Sequence, residues 1–109
     1  MSNRFEHVEG KATRTSAGTT AVLAAPGAGK KLMITDLICT IHTIAGTGKV
    51  IIDDGTTEWF GWDAITAGSG QPAPIHVPDG IEWTENKPLN LTTVGAIEAF
   101  CYARAEKRG

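Results

Sequence analysis

KKLMITDLICTIHT, residues 30–43, decides the fold. Its apolar side chains stand two apart at Leu32 and Ile34, then change phase to Leu37, Cys39 and Ile41. A spacing of two is the period of a β-strand, and a phase change inside it needs an extra residue, so a bulge or bend is expected near Asp36. Met33 and Ile38 fall on the face opposite those sets. A strand apolar on both faces is covered twice, by its own core on one side and by a partner on the other. Leu32, Met33, Ile34, Ile38 and Ile41 are therefore the expected subunit contact, and the working form is expected to be a homo-oligomer.

Outward from this strand the chain alternates short apolar runs with turn residues, and no helical period lasts beyond two turns. Upstream, Thr19 to Ala25 reads as a strand that ends at Pro26-Gly27-Ala28-Gly29, because proline cannot donate to a ladder and glycine accepts positive φ. Downstream, Ala45-Gly46-Thr47-Gly48 reads as a turn, Lys49 to Asp53 as a strand, and Asp53-Asp54-Gly55 as a hairpin turn into Thr56 to Trp62. The stretch AITAGSGQPAP is too rich in Gly and Pro for a strand interior and reads as a surface loop. Ile75 to Val77, Ile81 to Thr84, Pro88 to Thr93 and Ala96 to Ala103 complete about eight strands. With no helix to cover a sheet face, such a chain stacks two antiparallel sheets or closes a barrel, and an all-β, jelly-roll-like sandwich over 19–109 is the leading architecture. Residues 1–18 are polar and mixed in charge, with Phe5 and Val8 as the large apolar side chains, and read as an extended N-terminal arm.

At 109 residues there is room for one core, large enough to fold without disulfides or a structural metal. The formal charge of -2 names no partner: neither nucleic acid nor an anionic membrane is expected to attract the whole molecule. The polar start predicts a soluble chain without a cleaved signal or membrane anchor. Cys39 and Cys101 each lie in an apolar run and read as buried thiols made in a reducing cytoplasm, and a bridge between them would need neighbouring strands.

Motifs that would carry chemistry fail on detail. AAPGAGKK, residues 24–31, lacks the first Gly of a phosphate loop and the Ser or Thr after its lysine, and a strand follows it rather than a helix. His7, His42 and His76 are far apart and lack metal-ligand spacing, so no metal or other cofactor is expected. Asp53, Asp54 and Glu58 are the residue types of a calcium site or an acid/base pair, but Asp-Asp-Gly between strands is ordinary turn chemistry. No catalytic residue is expected, and a small jelly-roll enzyme would require the fold to gather His and carboxylates from distant positions. Trp59, Trp62 and Trp83 serve equally as core or as exposed anchors, and Trp59 and Trp62 are the candidates for exposed aromatic contact.

Residues Thr19 to Tyr102 resemble a group of small virion proteins of tailed bacteriophages. The resemblance rests on the Ala24 to Lys30 turn, the apolar strand Leu32 to Ile41, the Pro78 to Gly80 turn, the Leu89 to Thr92 strand and the final strand Ala96 to Tyr102. The TTEWFGWDA segment, residues 56–64, departs from that pattern. The resemblance implies a jelly-roll sandwich that assembles as a trimer and binds the major capsid protein as a capsid decoration, or cement, protein on the virion surface. It implies a shell contact through the arm, for which Arg4, Phe5, Lys11 and Arg14 are the candidates. The rival is a tail or head-fibre adaptor, or a carbohydrate-binding module that uses Trp59, Trp62 or Trp83 as stacking platforms. Exposed, coplanar rings would favour the sugar-binding form.

Overall fold

The computed structural model describes residues 6–64 and 73–109, with side chains outside 42–47, 62–64, 73–79 and 96. Among these residues the chain forms strands and connecting turns and no helix. The strands are β1 (Glu6–Arg14), β2 (Gly18–Leu23), β3 (Lys31–Asp53), β4 (Glu58–Ala64), β5 (Ala73–Glu82) and β6 (Leu89–Arg108).

β3 and β6 pair antiparallel along almost their full length, from Lys31 opposite Arg108 to Asp53 opposite Asn90. Each passes from one layer of a sandwich into the other, so the six strands supply two four-stranded antiparallel sheets of eight strand segments. One sheet runs β2, the first part of β6, the second part of β3, then β4. The other runs β1, the second part of β6, the first part of β3, then β5. Counted along the chain, the first segment pairs with the last, the second with the seventh, the third with the sixth and the fourth with the fifth. This is one long nested hairpin rolled over on itself, the jelly roll.

The bend that carries β3 between layers comes from surplus residues. Its register against β6 slips between Ile34 and Asp36, between Ile41 and Thr43, and between Ile44 and Gly48. Each surplus residue increases the local twist and turns the strand. The first slip is the bulge expected near Asp36. The third replaces the turn expected at 45–48: the backbone stays extended there and the glycines serve a bend. Likewise 78–80 lies inside β5 as an irregularity opposite Thr35, and 94–95 lies inside β6. The expected strands on either side of each stretch are therefore continuous.

The segment expected as an arm takes part in the sandwich. Glu6–Arg14 pairs with Ala99 to Lys107 of β6, and Ala12 is buried in the core. Gly10 explains how so polar a strand is seated. A Cβ at this position would collide with the Val22 carbonyl oxygen, so the β1 backbone passes against β2 where no side chain fits. Residues 1–5, including Arg4 and Phe5, lie outside the described residues.

The core lies between the sheets. Ile97, Ala99, Cys101, Ala103 and Ala105 of β6 and Leu32, Ile34, Leu37, Cys39 and Ile41 of β3 point inward from one sheet, facing a layer that includes Val22 and Leu23 of β2, Val50 and Ile52 of β3 and Leu89 and Leu91 of β6 from the other. Leu32, Ile34 and Ile41 are thus occupied within the chain's own core, at 0%, 1% and 5% exposure, and do not form a subunit contact. Their phase in the strand shows that they share a face with Leu37 and Cys39, the face that the second sheet covers.

Candidate functional site

The outward face of the β1–β6–β3 sheet follows from the same alternation. Inward Cys101 and Ala103 leave Phe100, Tyr102 and Arg104 outward, and inward Leu37 and Cys39 leave Asp36, Ile38 and Thr40 outward. Register then sets three rows: Glu9–Arg104–Asp36, Lys11–Tyr102–Ile38 and Thr13–Phe100–Thr40. Ile38 is 41% exposed in the middle row, while Phe100, Tyr102 and Met33 are half-buried. Tyr102 donates its hydroxyl to Glu9 Oε2 at 3.1 Å, and partial burial together with this carboxylate raises the phenol above its ordinary range. Ile38 is one of the expected contact residues that remain available. Phe100 and Tyr102 were not singled out from the sequence, although EAFCYARA, residues 98–105, alternates large with small side chains. Read with small residues inward, that alternation puts both rings outside.

Of the expected arm contacts, Lys11 is exposed on β1. Arg14 is engaged within the chain: it donates from Nη1 to Thr20 Oγ1 and from Nη2 to the Ala17 carbonyl, both at 2.9 Å, bracing the turn from β1 to β2. Thr93 fastens the same turn by donating its hydroxyl to the Ser16 carbonyl at 2.7 Å.

The Asp-Asp-Gly turn forms a dense polar cluster. Asp54 is 1% exposed; its Oδ1 accepts the amides of Thr56 and Thr57, at 2.9 and 2.7 Å. Its Oδ2 accepts the Thr84 hydroxyl at 2.7 Å and the Trp59 indole N–H at 3.3 Å. Burial works to raise the Asp54 carboxyl, but the donors from Thr84, Thr57, Thr56 and Trp59 outweigh it and hold the group well below the usual carboxylate range. Asp53 accepts from the Gly55 amide, from Asn90 Nδ2 and from the Thr92 hydroxyl, and Thr92 also meets Thr19 Oγ1 at 2.8 Å. A shallow cavity of about 320 Å³ lies beside this cluster, bounded by Thr19, Asp53, Thr56, Glu58, Asn90 and Thr92. The two aspartates are thereby committed to turn and cross-strand bonds. Among the described residues, no three of His, Cys, Asp and Glu gather in a metal-holding group.

The aromatic candidates divide. Trp83 is 1% exposed, donates its indole N–H to the Pro88 carbonyl at 2.8 Å and stacks on Trp59 with ring centroids 4.6 Å apart. It fills the core, which removes it as a sugar platform. Trp59 is half-buried with its polar edge tied to Asp54, and the Trp62 side chain lies outside the described residues.

The glycine-rich turn at 24–31 is also accounted for. Gly27 donates its amide to Asn86 Oδ1 and Gly29 donates its amide to Glu85 Oε2, each at 3.0 Å. Both glycines have positive φ, at 114° and 79°. Amides that would cradle a phosphate are used here to clamp one end of the sandwich.

No protein-family model and no curated protein matches the chain.

Proposed function

We propose that the chain is a phage virion structural protein, a trimeric capsid decoration protein that stabilises the head by bridging subunits of the major capsid protein. The observation that carries the reading is Ile38, a large aliphatic side chain 41% exposed in the middle of a four-stranded sheet, beside two half-buried aromatic rings. The resemblance of residues 19–102 to small virion proteins and the jelly-roll pairing both support it. The subunit contact is assigned to Ile38 and Met33 of the original set, joined by Phe100 and Tyr102. The shell contact is assigned to Arg4, Phe5 and the exposed Lys11. A symmetric oligomer multiplies weak shell contacts into a long-lived attachment and needs no catalytic group.

The test is the solution mass of the full chain by light scattering, alone and with Ile38→Asp. The expected result is three times the 11.5 kDa chain mass for the parent. For the variant it is one chain mass with an unchanged circular dichroism spectrum, because a charge on an outward position leaves the core intact. A parent that stays monomeric, or a variant that stays trimeric, overturns the assigned contact.

A further inference from the structure

Cys39 and Cys101 stand directly opposite each other on β3 and β6, the two strands shared by both sheets. Their sulfurs are 3.1 Å apart, both residues are buried, and both are free thiols. Residues directly opposite on antiparallel strands have Cα atoms roughly 4.5 or 5.5 Å apart, and both values fall within the span that a disulfide bridges. Bonding would bring the sulfurs to about 2.05 Å, an approach of the order of one ångström that side-chain rotation can supply. The surroundings leave room for it: Ala12 is the partner of Cys101 on β1, and Ala99 and Ala103 flank it along β6.

We infer that Cys39 and Cys101 are a latent cross-strand disulfide, which an oxidising thiol–disulfide pair such as glutathione disulfide converts into a covalent link between the two central strands. This holds whatever the role of the domain. The bond would close a loop between positions 62 apart, containing all of β4 and β5, so it would restrict the unfolded chain strongly.

The chemistry balances as two exchanges. One cysteine thiolate attacks a sulfur of glutathione disulfide, whose sulfur–sulfur bond breaks to release one glutathione thiolate and leave a mixed disulfide on the protein. The second cysteine thiolate then attacks the protein sulfur of that mixed disulfide and displaces the second glutathione. Two protons leave the cysteines and two electrons reduce the oxidant, giving two glutathione thiols. The hydrogen bond with Cys39 and burial both push the Cys101 thiol up. Attack therefore proceeds through opened or folding chains rather than through the closed sheet.

The experiment starts from reduced protein, incubated in a glutathione disulfide buffer either folded or during refolding from urea. The chains are then alkylated in denaturant and weighed intact. The refolded sample should lose two hydrogen atoms and take up no alkyl group. It should melt at least about 5 °C above the reduced form, and dithiothreitol should reverse both changes. The folded sample should reach the same product more slowly. Cys39→Ala and Cys101→Ala should each retain at most a glutathione adduct and show no such rise in melting temperature. Two alkylated thiols after oxidative refolding, a stable mixed disulfide in the parent, or bonds only between chains would each overturn the inference.

Discussion

Replacing Asp54 with Asn preserves the shape of the side chain and removes its charge. One amide oxygen remains to accept the Thr56 and Thr57 amides, but the NH₂ group must then occupy the place of the oxygen that accepts from Trp59 and Thr84. Thr84 can turn its hydroxyl to accept. The indole N–H of Trp59 cannot, being a donor only, and is left facing another donor. Loss of a charge-assisted bond, together with the orphaned donor, costs about 1.5–3 kcal/mol. For a domain of this size that lowers the melting temperature by roughly 6–20 °C.

The same substitution carries a pH signature. A carboxyl whose folded pKa lies below its unfolded value of about 3.9 adds stability that is fully present above that value, and this stability is lost as the pH falls toward the folded pKa. Asp54 is lowered in this way, so the gap between parent and Asp54→Asn should be widest at neutral pH and narrow steadily from about pH 5 downward. Thermal unfolding followed by circular dichroism across this range measures it. Equal melting temperatures at pH 7, or a gap of constant size down to pH 2.5, would refute the assignment of Asp54 as the charged acceptor that fastens the turn to Trp59 and Thr84.

Gly10→Ala sets a Cβ against the Val22 carbonyl and should cost about 1–3 kcal/mol by forcing β1 away from β2, measured by urea unfolding; a neutral result would mean that the two strands separate freely. Trp83→Ala should cost about 3–5 kcal/mol through the cavity it leaves, and Trp83→Phe should cost less, since the ring volume is partly kept while both variants lose the bond to the Pro88 carbonyl. Equal losses for the two variants would assign the effect to the hydrogen bond rather than to packing. Arg14→Met should leave oligomer mass unchanged while lowering stability, because its guanidinium braces the β1–β2 turn; a change of mass at unchanged stability would return Arg14 to the contact surface.

Local rules were enough wherever the physics was local. The Asp53-Asp54-Gly55 turn, the break at Pro26 to Gly29 and the bulge beside Asp36 were all legible, because side-chain capping, positive φ and the two-residue period act within a few positions. The absence of a helical period pointed to two stacked sheets, and the nested pairing of a jelly roll is what the folded chain displays.

Tertiary structure decided what covers each face. Alternation separates Leu32, Ile34 and Ile41 from Met33 and Ile38, but it does not say which set meets the second sheet, and so all five were read together as a subunit contact. Glu6–Arg14 looked too polar for a core, yet an edge strand needs only Ala12 inside, Val8 packed against the core and a glycine where β2 passes. The glycines at 46 and 48 suggest a turn by composition, whereas pairing with β6 keeps that backbone extended and turns it into the bend of the roll. Cys39 and Cys101 were read as buried thiols that could pair only on neighbouring strands, and only the register of two strands far apart in the chain brings them together. Parity along a strand is written in neighbouring residues; its partner across the sheet is set by how the whole hairpin rolls.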